Sequence, residues 1–163
     1  MCHDRVFSFP GSDYYVLIKS DVLGGFYSNI QNKCFKKEAG GQLFSRNINA
    51  NPIVIERSTG PYPSDQRGRH SWKPNKEQLI KDREALFKNG LYVVGLWHTH
   101  PQATPHPSTI DRSTCEAHAS LLDSSYNGFL MITVGNSGSP PNLSVYFSDR
   151  KTKNWYSLTE KTL

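Results

Sequence analysis

The run Tyr92-Val93-Val94-Gly95-Leu96-Trp97-His98-Thr99-His100-Pro101, followed after a proline-rich loop by Ser108-Thr109-Ile110-Asp111, decides how this chain is read. Its first half is apolar and rich in β-branched and aromatic residues, which predicts a buried strand ending near His98. Side chains alternate along a strand, so His98 and His100 project from one face and Trp97 from the other, into the core. A helix is expected to begin near Ser108 and run to about Leu122. That puts Asp111 in its first turn, where the carboxylate can return to the strand end. Two imidazoles and one carboxylate leave a fourth position open. This suits a hydrolytic zinc site better than magnesium or calcium, which prefer oxygen-rich sites.

Upstream of this run, residues 75–89 carry Leu79, Ile80, Leu86 and Phe87 on an apolar helical stripe, with Gly90 as the stop. From Ser58 to Pro74, three prolines and two glycines without periodicity predict a long loop of the kind that often carries function. Tyr14–Ile18 and Ile53–Ile55 read as strands. Val22, Leu23, Phe26, Tyr27 and Ile30 recur at helical spacing after a cap at Ser20 or Asp21, weakened by Gly24-Gly25. Glu38-Ala39 leads through Gly40-Gly41 into the short strand Gln42-Leu43-Phe44. Phe129–Val134 and Ser144–Phe147 complete the strands, and the polar tail after Asp149 carries no clear signal. This order predicts a mixed α/β fold, a mixed sheet with helices packed on it.

With 163 residues the chain suits one compact domain, 1–163. Hydrophobic residues at 36% and charged residues at 20% exclude a disordered or fibrous chain. No run is long and apolar enough for a signal sequence or a membrane span, so a cytoplasmic protein with no membrane partner is expected. Cys2, Cys34 and Cys115 lack CxxC spacing and read as reduced thiols. The net charge of +5 comes from scattered basic residues. The one local cluster, Lys33, Lys36 and Lys37, reads as a solvated face without a stacking platform, so nucleic acid is not the expected partner.

Taken together, His98-Thr99-His100, seven further residues, Ser108, two more and Asp111 resemble the signature of the JAMM (JAB/MPN) metallopeptidases position by position. Glu38, before Gly40-Gly41, resembles that family's upstream glutamate. The likeness runs from about Tyr14 to Phe147 and implies a single MPN/JAB-like domain, a curved mixed sheet flanked by helices. It implies that His98, His100 and Asp111 hold one Zn2+, that Glu38 is general base and proton shuttle, and that the Ser108 hydroxyl supports an oxyanion. Ser45 stands where many relatives have glycine, a departure that touches no expected ligand.

The chain looks most like short prokaryotic JAB proteins encoded beside ubiquitin-activating-like enzymes, including those of CBASS anti-phage systems. The implied substrate is a ubiquitin-like or otherwise C-terminally conjugated protein, such as a cyclic-nucleotide synthase, cut from its target at an extended C-terminal tail. That tail is expected to add as a strand beside Gly40 to Phe44, with Arg67 and Arg69 of the 58–74 loop meeting acidic residues of the partner. The alternative is a non-catalytic MPN-type scaffold, but such relatives usually lose a ligand, and here all five residues are present.

Each half of the motif has an ordinary explanation alone. A lone His-x-His often satisfies hydrogen bonds, and Ser108-x-x-Asp111 is a helix capping box. Joined, four specified residues at fixed offsets arise by chance in only about one in a thousand chains of this length. Glu56 is the competing upstream carboxylate. His106 reads as a surface or substrate-facing residue, His118 as an ordinary helix position or a support for the ligands, and Cys115 as core. A nucleoside deaminase would need His-x-Glu with Pro-Cys-x-x-Cys, and a helix metalloprotease His-Glu-x-x-His; neither is present.

Overall fold

A computed structural model describes residues 3–162, so the reading of Cys2 lies outside the described residues. The described chain opens with β1 (Arg5–Ser8) and β2 (Tyr15–Ile18), an antiparallel pair. In α1 (Ser20–Tyr27), Val22, Leu23 and Phe26 are buried. Neither Ser20 nor Asp21 caps this helix: Asp4 accepts from the Ser20 N–H at 2.7 Å, and the helix ends before Ile30. Next come β3 (Gly40–Ser45), β4 (Ile53–Ile55) and β5 (Arg57–Ser58). The predicted 58–74 loop contains a hairpin of its own, β6 (Gln66–Arg67) paired with β7 (Trp72–Lys73). Then follow α2 (Lys76–Phe87), β8 (Tyr92–Thr99), α3 (Thr109–Ser120), β9 (Gly128–Gly138), β10 (Pro141–Asp149) and β11 (Trp155–Lys161).

The large sheet has the order β4-β2-β1-β11-β10-β9-β8-β3-β5. β8 with β9 and β2 with β4 are parallel, and the remaining neighbours are antiparallel. Its two outermost strands, β4 and β5, are separated in sequence by Glu56 alone, so the sheet curls until its edges meet. The Glu56 N–H donates to the Phe44 carbonyl of β3 at 3.0 Å, which holds the connecting residue against the sheet. Curvature here follows from connectivity, and the expected mixed α/β class with a curved mixed sheet is what forms.

One core cluster joins Val16, Ile18, Leu43, Trp97 and Ile132 to the apolar face of α1. A second, with Phe44, Leu96, Cys115, Phe129 and Met131, lies against α3. A fully buried large apolar side chain contributes about 1.5–3 kcal/mol. α3 buries only Cys115 and Ala119, so apolar packing supplies little of its anchorage. Aromatic and polar contacts supply the rest. Arg112 stacks on Tyr146 and Trp155 at 5.5 and 5.3 Å, and Trp155 Nε1 donates to Glu116 at 2.8 Å. The tail that carried no sequence signal is therefore a strand that holds the helix bearing Asp111.

α2 departs from expectation as well. Leu79 is buried and Leu86 partly so, but Ile80 and Phe87 are 56% and 62% exposed. Successive helix residues are about 100° apart, so a helix laid on a sheet buries one member of each pair and turns the other out. The Phe87 ring instead packs edge-to-face on Tyr92 at 5.5 Å. Among the described residues, no helix is long and apolar enough to cross a membrane.

Candidate metal centre

β8 ends with His98 and His100 projecting from the same face, while Trp97 is buried on the other and donates to the Thr59 carbonyl at 3.0 Å. His98 lies between Gly40 of β3 and Thr133 of β9, which fixes its height in the sheet. α3 begins at the same end. Its Ser108 cap and Asp111 form a reciprocal capping box: Ser108 Oγ accepts from the Asp111 N–H at 3.1 Å, and Asp111 Oδ2 accepts from the Ser108 N–H at 2.6 Å. The ordinary reading and the functional one thus hold together, because the capping box is what aims Asp111 at the strand end.

The Nε2 atoms of His98 and His100 are 2.9 Å apart, and Asp111 Oδ2 is 3.3 Å from each. Three ligand atoms at zinc-like bond lengths of about 2.0–2.1 Å, in tetrahedral directions, stand roughly 3.3 Å apart. The triangle fits one such ion. Glu38 Oε1 is 4.0 Å from both nitrogens, a separation that a single water spans. The four residues form a group able to hold a metal ion, with Glu38 and His98 buried and His100 and Asp111 half-buried.

The electrostatics match this division. Burial pushes the Glu38 carboxyl up to about 7, with the Asp111 charge adding to the rise and His100 opposing it. Burial lowers His98 against the pull of Asp111. At His100 burial works in the same sense, but Asp111 and Glu38 outweigh it and the pKa rises. Burial opposes ionisation of Asp111, yet hydrogen bonds from His100 and His98 hold its carboxyl well below the usual range.

Glu38 is gripped by its backbone. Its N–H donates to the Gly68 carbonyl at 2.7 Å, and its carbonyl accepts from Arg67 Nε at 2.6 Å. Arg69 donates to the carbonyls of Lys33 and Cys34 at 3.0 and 2.9 Å. These bonds tie Arg67 and Arg69 to the chain's own carbonyls. The hairpin they fasten forms one wall of a groove of about 250 Å³ over the cluster. His70, Trp72 and Pro74 line that wall, and Ile110 and Thr114 line the wall opposite.

A tail adding as a strand beside Gly40 to Phe44 is also overturned. β3 is paired along one side by β8, and on the other by β5 at Leu43 and Phe44. The Thr59 N–H continues that pairing to the Gln42 carbonyl at 3.0 Å. Neither edge of β3 is open. Glu56, the competing carboxylate, pairs with Arg46 at 3.1 Å, away from the cluster. His106 is exposed, Cys34 is exposed and Cys115 buried, both as free thiols. His118 accepts from Arg83 at 3.1 Å and stacks on Phe129, so it joins α3 to α2. Trp72 and Ile110 were not singled out from sequence, and the grip of Arg67 and Gly68 on Glu38 was not foreseen, since these roles come from segments that meet only in space.

A curled mixed sheet with a two-histidine, two-carboxylate cluster at a strand end, roofed by a hairpin and a capped helix, defines a candidate hydrolytic metal centre. The family model described as "Prokaryotic homologs of the JAB domain" matches residues 28–148, and the chain belongs to that family. A protein of Enterobacter hormaechei subsp. hoffmannii named "CD-NTase/cGAS isopeptidase" is 29% identical over 137 residues, covering 81% of this chain and 73% of that one. Proteins of the same name from Escherichia coli and Pseudomonas aeruginosa are 34% and 31% identical. The alignments cover 61% and 56% of this chain, and 65% and 60% of those relatives. Protein DSY2949 of Desulfitobacterium hafniense, solved in solution, shares the fold at a TM-score of 0.59 and 16% identity over 88% of each chain.

Proposed function

We propose that this chain is a zinc-dependent isopeptidase that releases a CD-NTase-type protein from conjugates made through its C-terminal tail, as expected for a CBASS anti-phage system. The observation that carries this is the triangle of His98, His100 and Asp111 with Glu38 one water away. The relatives' shared name supports the substrate class.

His98, His100 and Asp111 would hold the ion. When bound, zinc supplies Lewis acidity that polarises a carbonyl and makes water acidic near neutral pH. Glu38 takes a proton from the attacking water and returns it to the leaving amine as the carbon–nitrogen bond breaks. Its carboxylate, one water away from the atoms that would hold the ion, is placed for both transfers. Ser108 Oγ accepts from the Asp111 N–H, which leaves its O–H to donate to the scissile carbonyl oxygen as charge builds there. With both edges of β3 taken, the tail enters through the groove between the β6–β7 hairpin and the start of α3.

The test pairs metal content by mass spectrometry with cleavage of a model conjugate carrying a CD-NTase tail. Wild type should hold one zinc and cleave, His98→Ala should lose the zinc, and Glu38→Gln should keep it while losing cleavage. Metal-free wild type that still cleaves would end this reading.

A further inference from the structure

Gln31 lies in the loop between α1 and β3, seven residues before Glu38, and is only 1% exposed although polar. Its amide makes three hydrogen bonds. Nε2 donates to the carbonyls of Lys36 at 3.2 Å and Arg69 at 2.7 Å, and Oε1 accepts from Thr99 Oγ1 at 3.0 Å. Thr99 is the residue between His98 and His100. Its Oγ1 accepts from the Ala39 N–H at 2.9 Å, and its own N–H donates to the Ala39 carbonyl at 2.7 Å. One side chain therefore ties together the loop that ends in Glu38, the hairpin loop beside the groove and the strand end that carries both histidines.

We infer that Gln31 is a positioning residue for Glu38: through Thr99 it sets the separation between the Glu38 carboxylate and the two histidines. This rests on the hydrolytic reading above. Glu38 and His98 belong to segments far apart in sequence, and the Thr99–Ala39 exchange is the local bond between them. Thr99 Oγ1 carries one proton, and giving it to Gln31 turns the oxygen's lone pairs towards the Ala39 N–H. Without Gln31 that hydroxyl is free to rotate and the clamp on Ala39 loosens. A displacement of about 1 Å at a reacting group costs on the order of 100-fold in rate. A residue that only stabilised the fold would lower the folded fraction and leave each folded molecule as active as before.

The experiment compares Gln31→Leu, Thr99→Val and Thr99→Ser with Val16→Ala, a core variant away from the site that serves as a control for lost stability. Gln31→Leu and Thr99→Val should keep the wild-type zinc content and lower kcat about 10- to 100-fold, with KM changed less than about threefold. Thr99→Ser, which retains the hydroxyl, should recover most of that loss, and Val16→Ala should leave kcat per folded molecule unchanged. Amide hydrogen exchange gives a readout independent of activity. Gln31→Leu should speed exchange at residues 38–40 relative to β1 and β2, and Val16→Ala should not. If wild type cleaves nothing, the hydrolytic reading fails by itself, and the exchange pattern still decides whether Gln31 organises the cluster. Unchanged exchange at 38–40 in Gln31→Leu, or a kcat that falls only as the folded fraction falls, would overturn the inference.

Discussion

Gly40 lies beneath the indole of Trp72, so close that a methyl group built on it would meet ring carbons Cδ2 and Cε3 at 2.7 Å. The strand that follows Glu38 and the hairpin that walls the groove therefore close on each other through a position with no room for a side chain. The same methyl group would stand 2.7 Å from the Trp97 carbonyl oxygen, which is β8 backbone next to His98.

Gly40→Ala should consequently destabilise the protein by about 1–3 kcal/mol, the usual range for overpacking a tight site. Adding Trp72→Ala removes the ring but not the carbonyl, so the double variant should recover only part of that loss. Urea unfolding of both variants measures it, and full recovery would place the whole conflict at the indole.

Zinc itself should act as a stabiliser. A ligand that binds only the folded state at 100 times its dissociation constant adds about 2.7 kcal/mol, or roughly 5–10 °C in Tm for a chain of this size. Magnesium at the same concentration should add little, since two of the three atoms that would hold the ion are imidazole nitrogens. Thermal melts of the chelated protein should show the zinc shift in wild type and Glu38→Gln and its loss in His98→Ala and Asp111→Asn. A shift that survives in both ligand variants would put the binding elsewhere.

His118 makes the pH dependence of stability testable away from the metal cluster. Burial, helped by Arg83 and Lys76, lowers its pKa to about 4. The unfolded chain protonates this residue near 6.5, and the native protein resists doing so. Its contribution is therefore complete above pH 6.5 and is lost as pH falls towards 4, because over that window the unfolded state binds the extra proton. His118→Gln, which keeps an acceptor for Arg83, should show a shallower fall across the same window. Allowing for the partial exposure of the ring, the difference should be roughly 1–2 kcal/mol by denaturant unfolding at pH 7 and pH 4. Parallel pH profiles would remove His118 from the account.

The candidate site was legible where chemistry constrains spacing within one stretch of chain. Strand alternation puts His98 and His100 on one face whatever the rest of the fold does, and the capping box aims Asp111. Glu38 could be found from its Gly40-Gly41 context, and the structure supplies the reason: Gly41 packs on the Thr59 backbone and Gly40 under Trp72. What stayed hidden depends on partners distant in sequence. β6 and β7 are two residues each, too short for any period, and are fastened by Arg67 and Arg69 to carbonyls about thirty residues away. β11 buries Leu158 but leaves most of its residues exposed or half-buried, so it reads as a polar tail. The docking edge beside β3 failed for the same reason: nothing in Gly40–Phe44 reveals that Arg57–Thr59 folds back against it. Gln31 has no local signal at all, since its partners are Lys36, Arg69 and Thr99.

Ile110 tests where the tail lies. It sits next to Asp111 in the first turn of α3, is 76% exposed, and lines the groove opposite the hairpin wall. An exposed aliphatic side chain there costs the free protein little to change, within about 0.5 kcal/mol for a surface position. If a tail occupies the groove, covering Ile110 contributes about 1.5–3 kcal/mol to the complex, and losing part of that should raise KM about tenfold. Ile110→Ser is therefore expected to raise KM with zinc content, Tm and kcat close to wild type, and Ile110→Leu to stay near wild type in KM as well. Steady-state cleavage of the model conjugate reads the split directly. A fall in kcat at unchanged KM would instead show that the substitution disturbs Asp111 through the helix cap, and an unchanged KM in both variants would move the tail off this wall.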